Sequence, residues 1–490
     1  MLGRLTGRAA ERVDKKTRRV SIRFAYNYLR RITKVNQSRR AFCQSIFGTA
    51  FSAAAAEKPP HIVLFLADDH GWDIAGCYGN RVIRTPNIDR LASEGMRFTR
   101  AFAASPTCSP SRAILYTGLH SARNGLMGNH TGTRAGLKSI AQYLKAQGYR
   151  TVLANKTHVK PIEVFDFEYV KATLPDPPRG KRQYRLEGLD TKVIDGLLAD
   201  HAKNNAGQPL CLILADSAPH VTWEKNRDYD PATLPVPPIA VDTPKTRAAL
   251  ANYYQDITTA DRHLGEVLAS LRKHGFENNT LTIYTSDQGP EWPRSKWTVY
   301  DAGIRVPFIA RWPGRIAPGT VTDAMISFVD VTPTLVDIAG GKPVPGLDGT
   351  SFQDVLSGKA KRFRTEIYAS HSGDGTMNMF PQRCVRDLRY KLILNLRPER
   401  KWTTHFTKVD GIPDSHKDVY DTWLEKAKTD AASARIVRLT EDHPREELYD
   451  TLHDPFELNN LAGNPAAKPV LLRLRKQLSI QRAELGDMDE

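Results

Sequence analysis

Five short clusters in this 490-residue chain hold residue types able to bind cations, hold anions or attack an electrophile. Four of them, Asp68-Asp69-His70, Lys156-Thr157-His158, Pro219-His220 and Asp287-Gln288, lie at or just beyond the end of an apolar run. The fifth, Cys108-Ser109-Pro110-Ser111-Arg112, opens the helical run Ala113-Ile114-Leu115-Tyr116-Thr117-Gly118. Cys108 thus sits at a helix N-terminus with Arg112 one turn along, where partial positive charge and a guanidinium both favour an anion. Singly, each cluster has an ordinary structural explanation. An Asp pair after a strand often caps a turn, and a lone Cys is usually a small buried hydrophobe. They imply chemistry only if the fold gathers them.

The runs that precede the clusters read as strands of an open α/β sheet. His61 to Ala67, Thr151 to Ala154, Pro209 to Ala215 and Thr280 to Thr285 are short apolar stretches of the kind that central parallel strands show. Helical patterns alternate with them, from Thr85-Pro86 to about Glu94, from Gly136 to Gln147 and from Thr246 to His274, stopped by Gly95, Gly148 and Gly275. This succession implies helices on both faces of one sheet. Ligands of such sheets bind outside the carboxyl ends of the strands, so the four strand-end clusters can converge on one site.

From about Glu366 the pattern changes to short strand-like runs, a Trp- and Lys-rich stretch at 401–430 and a closing helix at about 467–484, a smaller α+β domain. The expected organisation is a leader over 1–56, a catalytic domain over 57–365 and a C-terminal domain over 366–490. No dinucleotide glycine fingerprint, Walker loop or internal repeat is found.

The net charge of +16 suggests nucleic acid, but its distribution argues otherwise. Residues 1–56 hold 13 Lys and Arg against Glu11 and Asp14, so the leader carries +11 of the total and a nucleic-acid partner is not expected. Within it, Ser38-Arg39-Arg40, an uncharged stretch and Ala53-Ala54-Ala55-Ala56 resemble a twin-arginine export signal over 38–56. That predicts a periplasmic or extracellular product, or a lysosomal or other lumenal one in a eukaryote. No stretch reads as a membrane span. The five cysteines show neither a zinc spacing nor a disulfide framework.

Cys108-Ser109-Pro110-Ser111-Arg112 followed by Leu115-Tyr116-Thr117-Gly118 resembles the signature of the type I sulfatases. Leu66-Ala67-Asp68-Asp69, Thr85-Pro86-Asn87-Ile88-Asp89, Thr285-Ser286-Asp287-Gln288-Gly289 and Gly303-Ile304-Arg305-Val306-Pro307 support it, in the family's order and over about 60–462. The resemblance implies an alkaline-phosphatase-like fold, a large mixed sheet flanked by helices with a smaller C-terminal α+β domain. It also implies that a formylglycine-generating enzyme oxidises Cys108 to formylglycine, whose hydrate is the nucleophile. One hydroxyl of the hydrate attacks sulfur and the other expels sulfate, which an ordinary Ser could not do. Carried over by motif, Asp68, Asp69, Asp287 and Gln288 hold one divalent cation, expected to be Ca²⁺, with Mg²⁺ the alternative. Gln288 departs from the more usual Asn. Arg112 steadies the hydrate, Lys156 and Lys296 clamp sulfate oxygens, His158 takes a proton when sulfate is eliminated, and His220 is the acid to the leaving group.

Lys156-Thr157-His158-Val159-Lys160-Pro161 with Phe165-Asp166-Phe167, and Phe380-Pro381-Gln382-Arg383 with Tyr390-Lys391-Leu392-Ile393-Leu394-Asn395, look like heparan N-sulfatase. The expected activity is hydrolysis of a sulfate ester or sulfamate on a sulfated glycan, with N-sulfoglucosamine favoured and Arg383 pairing with a sugar carboxylate or a second sulfate. The alternatives are an O-sulfatase on another polysaccharide, a phosphonate or phosphodiester hydrolase of the same fold, and a non-catalytic glycan-binding protein.

Overall fold

The computed structural model describes residues 58–171, 188–375, 377–407 and 416–488. The leader and its twin-arginine motif lie outside the described residues. From Pro59 onward the chain forms one compact unit.

Its centre is an eight-stranded mixed sheet, in the order Glu168–Val170, Arg150–Asn155, Leu210–Ala215, His61–Ala67, Thr280–Ser286, Phe308–Arg311, Met96–Phe98 and Thr320–Thr322. The first five run parallel, and Phe308–Arg311 is antiparallel to both of its neighbours. His61–Ala67 is apolar throughout because both of its faces are covered. Ile62, Leu64 and Leu66 pack with Ala113, Ile114 and Leu115 of helix Cys108–Thr117. Val63 and Phe65 pack on the other side with Leu264, Val267 and Leu271 of helix Pro244–Lys273. The α/β sheet expected from the sequence is present, and four short strands extend it beyond that expectation. At three or four residues each, they are too brief to show a period. The helix expected over 136–147 is shorter, Ile140–Lys145, because Gly136 turns at φ +78° and a Ser139–Gln142 capping box fixes the start.

At Glu366 the chain enters a second sheet, the antiparallel strands Glu366–His371, Gln382–Asp387, Tyr390–Asn395 and Glu446–Asp450 in sequence order. Helix Lys468–Leu485 covers one face with Leu471, Leu474 and Leu478, as the closing helix should. Phe406, Tyr420 and Trp423 of the Trp-rich stretch pack back against Leu250, Tyr253 and Tyr254 of the long helix. Position 366 therefore marks a change of sheet inside one compact unit.

Arg383 corrects one expectation. Its side chain is fully buried in the second sheet, with Nε and Nη2 both on the Asp487 carboxylate and Nη1 donating to the carbonyl oxygens of His371 (2.8 Å) and Gln382 (2.9 Å). A guanidinium removed from water needs such a carboxylate, and this one leaves no face for a sugar. Asp487→Ala should therefore cost about 3–5 kcal/mol in denaturant unfolding, the usual result of stripping a buried charge of its partner. KM for a sulfated glycan should not move in the folded fraction. A raised KM at undiminished stability would return Arg383 to the substrate.

Candidate active site

Arg150–Asn155, Leu210–Ala215, His61–Ala67 and Thr280–Ser286 are neighbours and all parallel, so their carboxyl ends share one edge. Parallel strands lie roughly 5 Å apart, which puts four consecutive polar clusters within side-chain reach of one another. Carboxylate oxygens of Asp68, Asp69 and Asp287 all fall within 4.8 Å of each other, and none of the three side chains is open to solvent.

Helix Cys108–Thr117 is buried over its whole length and aims its first residue at this edge. Cys108 Sγ lies 3.6 Å from Asp68 Oδ1 and 3.1 Å from Gln288 Nε2. One turn on, Arg112 Nε and Nη2 each sit 2.9 Å from Asp287 Oδ2. Lys156 pairs with Asp68, and Lys296 Nζ is 2.7 Å from Asp69 Oδ2 and 3.3 Å from Glu291 Oε2. His220 Nδ1 donates to the Val221 carbonyl oxygen at 2.5 Å, which leaves Nε2 toward the acids, 3.9 Å from Asp69 Oδ2.

Burial would raise Asp68, but Lys156, His220, Arg112 and Lys296 hold its carboxyl well below the usual carboxylate range. Asp287 is pushed up to about 7 by burial and by the negative charge of Asp68. Burial pushes the Cys108 thiol far above its ordinary value, and Lys156 and Lys296 do not offset it. As a plain thiol, residue 108 would be a weak nucleophile here. His220 is lowered to about 4 by burial and Lys296, so its imidazole rests neutral.

The donor set fits a hard cation. Among the described residues, Gln288 Oε1 is buried with no hydrogen-bond partner, although its own Nε2 is satisfied by Asp69. An orphaned amide oxygen beside three crowded carboxylates suits an all-oxygen Ca²⁺ or Mg²⁺ site. The other close groups, Asp68 with Cys108 and His220 and Asp69 with His220 and Glu291, offer at most one sulfur and one imidazole, fewer than a structural zinc site uses.

A family model described as sulfatase matches residues 60–341, more than half of the chain. The chain belongs to the sulfatase family. A second model, described as N-sulphoglucosamine sulphohydrolase, C-terminal, matches residues 292–432. An ulvan-active sulfatase of Formosa agariphila is 34% identical over 442 residues, 89% of this chain and 82% of that one. Human N-sulphoglucosamine sulphohydrolase is 29% identical over 88% of this chain and 91% of its own. Among solved structures, BT4656 in complex with its substrate D-glucosamine-2-N,6-O-disulfate superposes with a TM-score of 0.66 at 21% identity, covering 88% of this chain and 99% of that one. A phosphonate monoester hydrolase of Agrobacterium radiobacter gives 0.65 at 20% identity, covering 87% and 96%. Those two likenesses establish the alkaline-phosphatase-like fold.

Asp68, Asp69, Cys108, Arg112, Lys156, His158, His220, Asp287, Gln288 and Lys296 are brought together in this sulfatase, and Arg383 is not. Lys296, on a loop where a solvated Lys is common, is 3% exposed. The strand-end pattern missed Glu291, His130, Asp374 and His405. They come from loops whose sequence has no period, and only the solved path of the chain shows them beside Lys296 and His158.

Two motif glycines explain how the loop of Lys296 is seated. A methyl group on Gly289 would stand 1.8 Å from the Ala302 carbonyl oxygen, and one on Gly303 would stand 2.1 Å from that of Thr298. The turn carrying Asp287 and Gln288 thus lies backbone to backbone on segment 295–303, joined by Gly289 N–H to the Gly303 carbonyl at 2.9 Å. Gly289→Ala should destabilise the fold by about 1–3 kcal/mol or more through overpacking, and should depress turnover by separating Lys296 from Asp69. Gly207→Ala, with open space around it, should stay within roughly 0.5 kcal/mol. Equal melting behaviour of the two variants would refute this packing argument.

Proposed function

We propose that this sulfatase hydrolyses the sulfamate of N-sulfoglucosamine at the end of a heparin- or heparan-type chain, after Cys108 has been converted to formylglycine by a formylglycine-generating enzyme. The observation that carries the reading is the position of residue 108, at a helix N-terminus and between Asp68 and Gln288, in a pocket where a thiol is a poor nucleophile. Formylglycine there would supply a hydrate hydroxyl as nucleophile. A divalent cation, expected to be Ca²⁺, held by Asp68, Asp69, Asp287 and Gln288, would supply Lewis-acid polarisation of a sulfate oxygen. The match of residues 292–432 and the human relative support the sulfamate. The leader, with its export-type motif, supports action outside the cytoplasm.

In this reading Arg112 holds Asp287 and orients residue 108, while Lys156 and Lys296 turn from the carboxylates to the sulfate oxygens. His158 takes the proton released when sulfate is expelled. His220 presents Nε2 to the leaving group. Its low proton affinity in the resting site rises when the sulfate anion enters beside it. An amine is a poor leaving group, so proton donation matters more for a sulfamate than for an aryl sulfate.

A second reading, an O-sulfatase on another sulfated polysaccharide, is favoured by the 34% identity to an ulvan-active sulfatase. Desulfation of defined heparin disaccharides separates the two, on enzyme whose conversion at residue 108 is verified by peptide mass. Release of the N-sulfate is expected. Release of O-sulfate alone supports the second reading, and hydrolysis of phosphonates in preference to both overturns the sulfatase assignment of the substrate. His220→Ala should slow N-sulfoglucosamine hydrolysis by about 10²- to 10⁴-fold and nitrophenyl sulfate far less. Equal losses on both substrates would remove His220 from the acid role.

A further inference from the structure

Lys296 stands on a segment that the C-terminal part of the chain holds at both ends. On its N-terminal side Arg294 is buried, with Nη1 donating to the Leu439 carbonyl at 2.8 Å and Nη2 to the Glu457 carbonyl at 2.6 Å. On its C-terminal side the Val299 N–H donates to Gln382 Oε1 at 3.2 Å, the Val299 carbonyl accepts from Lys391 Nζ at 3.0 Å, and the Tyr300 hydroxyl donates to Glu447 Oε2 at 2.7 Å. The Asp301 N–H donates to Glu457 Oε2 at 2.5 Å, and the Asp301 carboxylate takes Arg386 Nε at 3.0 Å and Lys391 Nζ at 2.5 Å. Lys391 Nζ is also 2.9 Å from Glu457 Oε1. Arg294 and Trp297, on either side of Lys296, adopt φ +61° and +65°. Such conformations persist only where the surroundings hold them.

The array follows from the period of two in the second sheet. Gln382 stands opposite Asn395, Cys384 opposite Ile393 and Arg386 opposite Lys391, while Ile393 and Lys391 stand opposite Glu447 and Tyr449, so these residues share one face. The other face, with Val385, Leu392 and Leu448, packs on the closing helix. Cys384, Ile393 and Tyr449 form an apolar cluster with Trp297, Val299 and Tyr300. Among them Gln382, Arg386, Lys391, Asn395 and Glu447 are all buried. Although burial opposes it, Arg386 and Lys391 hold the Asp301 carboxyl below the usual carboxylate range, while burial pushes Glu457 up to about 7. Two cations and two acids taken out of water rarely stabilise a fold more than apolar groups of the same volume. What such groups add is direction, because each hydrogen bond fixes one backbone position of the loop. That setting reaches Lys296 within the loop, since Ser295 Oγ donates to the Ala302 carbonyl at 2.7 Å and the Thr298 N–H to the Ser295 carbonyl at 3.0 Å.

We propose that Lys391, Asp301 and Glu457 are positioning residues for Lys296, and that this face of the second sheet fixes the path of the loop from which the Lys296 ammonium reaches the sulfate. The inference rests on the reading above in which Lys296 meets the sulfate oxygens. It gives the C-terminal sheet a part in turnover through residues that do not touch the substrate.

A kinetic cycle on the full chain, with residue 108 verified as formylglycine, tests it on nitrophenyl sulfate. The first variant is the pair Lys391→Met/Glu457→Gln, which removes one ammonium together with one carboxylate and leaves Asp301 on Arg386. It should lose about 10- to 100-fold in kcat/KM, the range expected when a catalytic group shifts by about 1 Å. Lys296→Ala should lose at least as much, and adding the pair to Lys296→Ala should cost less than about twofold more, because the pair acts through Lys296. Losses that multiply, or a pair variant as active as the native enzyme, would overturn the proposal. If the pair variant is unfolded at the assay temperature, Asp301→Asn, which keeps the side-chain size and the backbone N–H, carries the same cycle with the same expectations. Hydrogen exchange adds a readout that needs no turnover. Amides of 297–303 should exchange about tenfold faster or more in the pair variant, with those of the central strand His61–Ala67 unchanged. Unaltered exchange in 297–303, or loosening that spreads to the central strand, would refute the positioning role. If Lys296→Ala costs nothing, its contact with sulfate fails, while exchange still decides whether the sheet sets the loop.

Discussion

Three carboxylates pressed together at one sheet edge govern the rest of this molecule. Two ionised groups at the separation of Asp68, Asp69 and Asp287 repel by roughly 3–4 kcal/mol at an effective dielectric of 20, and burial adds to the cost. The fold answers with positive charge from three directions. Arg112 comes from the helix of Cys108, Lys156 from the end of a neighbouring strand, and Lys296 from a loop seated by Gly289 and Gly303. The residual repulsion shows at Asp287, whose proton affinity stays high, and the unpartnered oxygen of Gln288 points to a cation as the missing share.

An anion can enter such a site only because its positive groups are buried and already oriented. Lys156, Lys296 and Arg112 are held on carboxylates within a water-excluding edge, where their charge is felt more strongly than it would be at the surface. The backbone absorbs the cost of that orientation. Asp69, Asn155, His158, Trp297 and His130 all adopt positive φ, and all border the site. The sheet beneath them, apolar on both faces, is rigid enough to hold these conformations.

Much of this was legible in the chain itself because the central strands are short, apolar and followed at once by polar residues. A parallel strand leaves its functional residues at its carboxyl end, so His61 to Ala67 and Thr280 to Thr285 announced the positions of Asp68, Asp69, Asp287 and Gln288. The sulfatase signature at Cys108 supplied what periodicity could not. Loop residues were not legible. His130 and Asp374 are 244 positions apart and become neighbours through the packing of the loop between the second sheet's first two strands on segment 128–131, through the Asn129 N–H to the Gly373 carbonyl. Arg383 failed for the opposite reason: its sequence context suggested a cleft, but the carboxylate that claims it, Asp487, follows the last helix and is far away in sequence.

The central claim is that this carboxylate edge is built around a divalent cation. Calorimetric titration of Ca²⁺ into chelator-treated, metal-verified full-length protein tests it most directly, with melting followed in parallel. One ion per chain should bind, and at a hundredfold excess over Kd the fold should gain about 2.7 kcal/mol, a gain that Asp287→Ala abolishes. Absence of binding of either Ca²⁺ or Mg²⁺, or a melting transition indifferent to both, would contradict the account.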